Sequence, residues 1–219
     1  MTTHAQPDSP ATPSAWAVFL TRRRKPLSRI LAACFFTLLV FTRSPGQSAL
    51  VLVLEIIGIL LISIAVLGRI WCALYIAGRK NKELCSDGPY SICRNPLYLF
   101  SFAGGVGFAF AASSPPLGLA LIPVFWGYHH FVIKTEEARL RLLFGAAYGD
   151  YCAKVPRILP NAGLYWSRPN LTIAPRVILR AMSEAAWFLV ALACFEMIEH
   201  LKGASLGDTP LPALFTWPF

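Results

Sequence analysis

Residues 48–78 read SALVLVLEIIGILLISIAVLGRIWCALYIAG, and only Glu55 and Arg69 interrupt the apolar run. A helix rises about 1.5 Å per residue, and roughly 20 apolar residues cross the hydrocarbon core of a bilayer. The stretch is longer than a crossing needs, so its C-terminal end is expected to project beyond the membrane. Working outward, one apolar segment precedes it (residues 27–42) and three follow (97–113, 117–133 and 177–198). The first is short for a span, and an interfacial helix is its alternative. Only Ser114-Pro115-Pro116 separates the third segment from the fourth, a link short enough to make them an antiparallel hairpin.

Composition agrees with this reading. Of 219 residues, 56% are hydrophobic and 14% charged, whereas a soluble domain carries about a quarter charged residues. A chain of this size cannot bury so much apolar side chain in one water-facing core, and it is far too apolar to be disordered along most of its length. The net charge of +9 would suit a nucleic-acid binder. Here, however, the basic residues sit in short runs between apolar segments, as in cytosolic membrane loops. The partner expected is the lipid bilayer, not nucleic acid. The expected fold class is all-α: a polytopic integral membrane protein with about five transmembrane helices.

Orientation follows from the basic residues, which favour the cytosolic side. Arg22 to Arg29 precede the first segment, Arg79, Lys80, Lys82 and Arg94 lie between the second and third, and seven more lie between the fourth and fifth. The far side would carry only Arg43 and Lys202. The N-terminus and both long polar connections are therefore expected in the cytosol, with the C-terminus outside. Residues 1–14 are polar and rich in Pro and Thr. They read as a disordered tail without the apolar region of a cleavable signal. The sequon at Asn170 falls on the cytosolic side, where it would not be glycosylated.

Six scattered cysteines form no CxxC pair, and His129-His130 stands alone in an apolar run. No metal site is expected from such spacing, and reduced thiols are expected in place of disulfides. Gly104, Gly105 and Gly107 lack the strand that a dinucleotide fingerprint requires and are read as positions of close helix packing. Glu55, Arg69, Arg180 and Glu184 are ionisable at membrane depth, which keeps a scaffold or transport role open. Arg180 and Glu184 are spaced to pair on one helix, and no inverted repeat is visible.

Polar chemistry is concentrated in two cytosolic stretches. One runs Gly88-Pro89-Tyr90-Ser91-Ile92-Cys93-Arg94-Asn95-Pro96-Leu97-Tyr98, and the other starts at Glu136-Glu137 and continues through Phe144-Gly145, Tyr148 and Tyr151 to Pro160. Singly, each has a plain explanation: interfacial anchors, a helix-opening proline, a solvated acidic turn. Together they flank the two ends of one hairpin, so antiparallel packing brings them to one place at the membrane surface. Arg94 can hold a carboxylate or phosphate through two hydrogen bonds, and the glutamates can hold amines and hydroxyls.

The order GPY, RNPLY, EE, FGxxYxxY, P, P resembles the isoprenylcysteine carboxyl methyltransferase and phospholipid methyltransferase family, over roughly Lys82 to Pro160. The resemblance implies S-adenosylmethionine as cofactor and methyl transfer to a lipidic or isoprenoid-linked acceptor, a carboxylate or an amine. Carried over by position, the cofactor would contact Lys82, Glu83, Leu84, Cys85, Tyr90, Asn95, Pro96, Leu97, Tyr98 and Glu136, in a cytosol-facing pocket beside the hairpin. Arg94, Glu136 and Glu137 would be the catalytic set. The chain would then divide into a tail (1–21), a first membrane helix (22–46), a methyltransferase-like core (47–160) and a C-terminal membrane helix with its tail (161–219). Asn95 stands where the family usually has histidine, and asparagine keeps a donor but cannot titrate.

A second resemblance is to membrane sterol- and steroid-type reductases, which use NADPH. Those carry asparagine after the proline and an Asp-Glu pair. Here asparagine precedes Pro96 and the pair is Glu136-Glu137, which favours the methyltransferase. Arg79, Lys80 and Lys82 would be the basic cluster for an NADPH phosphate.

Overall fold

The computed structural model describes residues 30–38, 42–43, 48–173, 175–203 and 215–216. The expected tail and the first basic run lie outside the described residues. Helix α1 covers residues 30–38. It is followed by α2 (Ala49–Ile76), the short α3 (Pro89–Ile92), α4 (Pro96–Ala111), α5 (Pro115–Lys154), a 3-10 turn at Ala162–Leu164, and α6 (Pro175–Gly203). The two-residue strands β1 (Thr42–Arg43) and β2 (Phe215–Thr216) pair in parallel. Otherwise the regular structure among the described residues is helical, and each of the five apolar segments contains a described helical stretch.

Helix α2 opens where Ser48 accepts a hydrogen bond from the Val51 amide at 3.3 Å, satisfying an orphan donor of the first turn. Its 28 residues span about 42 Å, more than the roughly 30 Å hydrocarbon core. Helices α2 and α6 are long and apolar enough to cross a membrane, while α4 is apolar but shorter. Leu50, Leu52, Val53, Ile56, Leu60, Ile64 and Leu67 of α2, with Leu179, Trp187 and Val190 of α6, are exposed. An apolar surface of this extent suits lipid, not water.

Glycines hold α2 and α4 together. A Cβ on Gly58 would lie 2.6 Å from the Gly107 carbonyl oxygen, and one on Gly107 would lie 2.8 Å from that of Gly58. Gly104 faces Ala65 and Phe188, and Gly105 faces Leu121. All three α4 glycines therefore serve packing. Around them Ile62, Val66, Phe108, Ala111, Ala185 and Phe195 form the core of α2, α4 and α6, with Phe35 and Phe36 of α1 against it.

The hairpin forms as expected, but its second arm does not stop at residue 133. Helix α5 runs 40 residues, carrying Glu136-Glu137 and the tyrosine motif on the same element as the apolar fourth segment. It bends at Gly145, whose φ of 52° and ψ of −128° only glycine adopts without strain. The bend redirects residues 146–154, with Tyr148 and Tyr151, into the protein. The pairing of Arg180 with Glu184 lies outside the described side chains.

Candidate active site

The α4–α5 hairpin sets the site. Pro96 occupies the first turn of α4, where its missing N–H costs nothing, so Arg94 and Asn95 sit just before the helix and Tyr98 one turn inside it. Across the seam, Tyr98 donates its hydroxyl to Glu136 Oε2 at 2.9 Å. Arg94 Nη1 lies 3.6 Å from Glu137 Oε1, and Asn95 Nδ2 reaches the same oxygen at 3.5 Å. The two stretches identified as polar thus converge, and Arg94, Asn95, Tyr98, Glu136 and Glu137 form one cluster.

Arg157, which the motif reading passed over, completes it. Its Nε lies 3.3 Å from Glu137 Oε2, so two guanidinium groups face one carboxylate. The segment after α5 is stitched to the start of α4. The Arg94 amide donates to the Pro156 carbonyl at 2.9 Å, Asn95 Nδ2 donates to the Arg157 carbonyl at 3.0 Å, and the Asn161 amide donates to the Ile92 carbonyl at 2.9 Å. The buried Cys93 thiol points at the Ile158 carbonyl, 3.1 Å away. Burial works against the charge on Arg94, but Glu137 together with Cys152 and Tyr148 outweighs it and raises the guanidinium pKa. Arg94 Nε and Arg157 Nε are buried without an aligned acceptor. Arg157 Nε already faces Glu137, and Arg94 Nε could serve an added anionic group.

A second charged cluster lies just beyond the C-terminal end of α2. Asp87 is fully buried, with Arg79 Nη1 2.8 Å from Oδ1 and Arg168 Nε 3.1 Å from Oδ2. Glu83 pairs with the same two arginines, at 2.6 Å and 3.4 Å. Burial opposes the Arg79 charge, yet its hydrogen bonds to Asp87 and Glu83 hold its pKa up. The Arg79 hydrogen bond holds Glu83 below its ordinary value. Arg79, assigned above to a possible NADPH phosphate, is thus occupied by carboxylates. Residues 165–168 close over this corner. Gly88 donates to the Trp166 carbonyl at 2.7 Å, the Trp166 amide donates to Ser91 Oγ at 3.0 Å, and Tyr75 Oη meets Ser167 Oγ at 2.7 Å.

The remaining residues carried over by resemblance sit around this frame. Cys85 and Leu97 pack against Cys72, Tyr75 and Tyr90. Leu84 packs against Tyr148, Tyr151 and Val155. Pro96 is fully buried, Lys82 is exposed, and Glu83 is engaged by Arg79 and Arg168. Tyr151 donates to the Tyr90 carbonyl at 2.6 Å, tying the redirected end of α5 to α3. Burial pushes the Tyr90, Tyr148 and Tyr151 phenols well above their ordinary pKa, which keeps them neutral supports. His129, read above as solitary, places its ring 5.0 Å from that of Tyr98.

Comparison with known proteins agrees with this frame. The family model described as phospholipid methyltransferase matches residues 47–147. The chain is 32% identical to the nickel-cobalt-cadmium resistance protein NccN of Alcaligenes xylosoxydans xylosoxydans, over 88% of this chain and 92% of that protein. It is 34% identical to the cobalt-zinc-cadmium resistance protein CzcN of Cupriavidus metallidurans, over 86% and 87%. It is also 33% identical to a protein-S-isoprenylcysteine O-methyltransferase of Schizosaccharomyces pombe, over 39% of this chain and 37% of that protein. No solved structure matches it. With the family model over the hairpin and its acidic pair, and isoprenylcysteine O-methyltransferases among its relatives, the chain belongs to the isoprenylcysteine carboxyl methyltransferase and phospholipid methyltransferase family.

Proposed function

We propose that this protein is a multi-pass membrane methyltransferase that uses S-adenosylmethionine to methylate an amphipathic, membrane-resident acceptor. The observation that carries the reading is the convergence of Tyr98–Glu136 with Arg94–Glu137–Arg157 at one end of the α4–α5 hairpin. The donor set suits the cofactor. The buried Arg94 Nε–H, which has no aligned acceptor, would take its carboxylate, and the two glutamates would take its amino and sulfonium charges. When bound, the cofactor supplies an electrophilic methyl group. This chain's residues orient it: Tyr98 fixes the Glu136 carboxylate, and Asn95 with the Pro156–Asn161 segment fixes Arg94 and Glu137. In a direct displacement such alignment carries much of the rate.

Five crossings, with the N-terminus and the site in the cytosol and the C-terminus outside, fit the Lys and Arg distribution. The β1–β2 pairing supports this arrangement, because it joins the residues after α1 to those after α6. The names of two relatives speak of metal resistance. The phospholipid methyltransferase family model, which spans the α4–α5 hairpin and its acidic pair, favours methyl transfer for this chain.

The test is transfer of labelled methyl from S-adenosylmethionine into the lipid extract of cells with and without the protein. Label that depends on the protein and is lost with Glu136→Gln supports the reading. Equal label in both extracts contradicts it.

A further inference from the structure

Just to the membrane side of Glu136, the α4–α5 seam is lined by Tyr98, Phe102, Phe125, Trp126 and His129, all half-buried. Phe102 lies 5.1 Å from Phe125 and 5.3 Å from Trp126, ring centre to ring centre. The histidine is the one of these five that carries a titratable nitrogen, and the surrounding helix fixes its orientation. Its Nδ1 lies 2.9 Å from the Phe125 carbonyl oxygen, and its ring stacks on Phe125 at 3.8 Å. A carbonyl only accepts, so in the neutral ring Nδ1 carries the proton and Nε2 carries the lone pair. No donor among the described residues reaches Nε2.

His129 is seven residues before Glu136 on α5, about 10 Å along the axis. With Glu136 at the cytosolic boundary, that nitrogen sits inside the hydrocarbon layer. An acceptor nitrogen there loses its water and gains nothing from lipid tails. Tyr98 touches both residues, through its hydroxyl to Glu136 and its ring edge to His129. The seam therefore leads continuously from the charged cluster to the imidazole.

We propose that His129 Nε2 accepts a hydrogen bond from the methyl acceptor. The acceptor is then an amphipath whose apolar body lies along Phe102, Phe125 and Trp126, and which carries an N–H or O–H group about 10 Å on the membrane side of the glutamates. The proposal rests on the methyltransferase reading. His129 is a substrate-binding and specificity-determining residue in it, with no proton transfer assigned.

The test uses the full chain in lipid nanodiscs with His129→Gln, His129→Asn and His129→Phe. Glutamine places an acceptor near the Nε2 position, asparagine keeps only the Nδ1 position, and phenylalanine keeps only the ring. Three quantities are read: S-adenosylmethionine affinity, the half-saturating amount of total lipid extract from the producing cells in methyl transfer, and the imidazole 15N signals during extract titration. The expected result is cofactor affinity unchanged in all three variants, with glutamine close to wild type. Asparagine and phenylalanine should raise the half-saturating extract about tenfold, the factor one hydrogen bond carries. The wild-type lone-pair 15N signal should shift on adding extract. Asparagine or phenylalanine variants matching wild type would overturn the proposal, and so would parallel loss of cofactor affinity in all three. Wild-type protein that binds no S-adenosylmethionine would overturn the parent reading itself.

Discussion

The Tyr98 hydroxyl of α4 meets the Glu136 carboxylate of α5 at 2.9 Å, joining the two arms of the hairpin across their seam. Because the phenol donates to Oε2, it helps set where the carboxylate points. The same carboxylate is assigned to the cationic cofactor. Tyr98→Phe should therefore lower S-adenosylmethionine affinity by misplacing Glu136, and Glu136→Gln should lower it further by removing the charge. A hydrogen bond to a charged group contributes about 1.5–3 kcal/mol, so a loss of roughly tenfold to a hundredfold is expected for Glu136→Gln. Calorimetry on purified protein in lipid checks the order of the two variants.

Asn95 donates one amide nitrogen to the Arg157 carbonyl and turns it toward Glu137. Asn95→Asp replaces a donor by an acceptor facing two acceptors, and should destabilise the protein by about 1–3 kcal/mol. Asn95→His retains a ring N–H and should keep cofactor affinity. Thermal unfolding in detergent, followed beside cofactor binding, separates these outcomes.

Asp87 is fully buried between Arg79 and Arg168. Removing one member of a buried pair strands the other charge, at a cost of about 3–5 kcal/mol. Asp87→Ala should thus lower the thermal midpoint far more than Lys82→Ala, which removes an exposed side chain. Glu83, held below its ordinary pKa by Arg79, contributes above its unfolded value near 4.3. That contribution fades as pH falls through its lower folded value. The cluster should therefore persist through mildly acidic conditions, as tryptophan fluorescence scanned against pH would show.

Burial raises the Cys85 and Cys93 thiols, so the neutral form is favoured in the folded chain. The linked stability is complete below the unfolded value near 8.5 and is lost as pH rises through the folded values. Labelling by a thiolate-selective reagent should be slow at neutral pH and keep accelerating past the pH where a free thiol levels off. Cys93, fully buried, should lag Cys85. Cofactor that protects Cys85 would support its place near the pocket. A Cys93 that labels as fast as the more accessible Cys85 would contradict the packing of the 156–161 segment over it.

Much of this arrangement was legible in the sequence. The run through residues 48–78 announces α2 by length and apolarity alone, and the Ser-Pro-Pro link announces the hairpin. Antiparallel packing then dictates that Arg94 and Tyr98 meet Glu136 and Glu137. The bend at Gly145 was not legible, because a glycine inside a helical pattern leaves it open whether the backbone leaves the helix there. Asp87 with Arg168, and Arg157 with Glu137, were hidden for a different reason. Their partners belong to segments whose register is set by tertiary hydrogen bonds such as Trp166 to Ser91 and Asn161 to Ile92, and no local periodicity encodes those. His129 looked solitary because its neighbour Tyr98 lies on another helix.

Equilibrium binding to the full chain in lipid nanodiscs tests most directly whether one pocket holds one cofactor. Calorimetric titration should show S-adenosylmethionine binding, weakened at least tenfold by Glu136→Gln, with no binding of NADPH. NADPH binding in its place, or binding of neither ligand by correctly folded wild-type protein, would contradict the account.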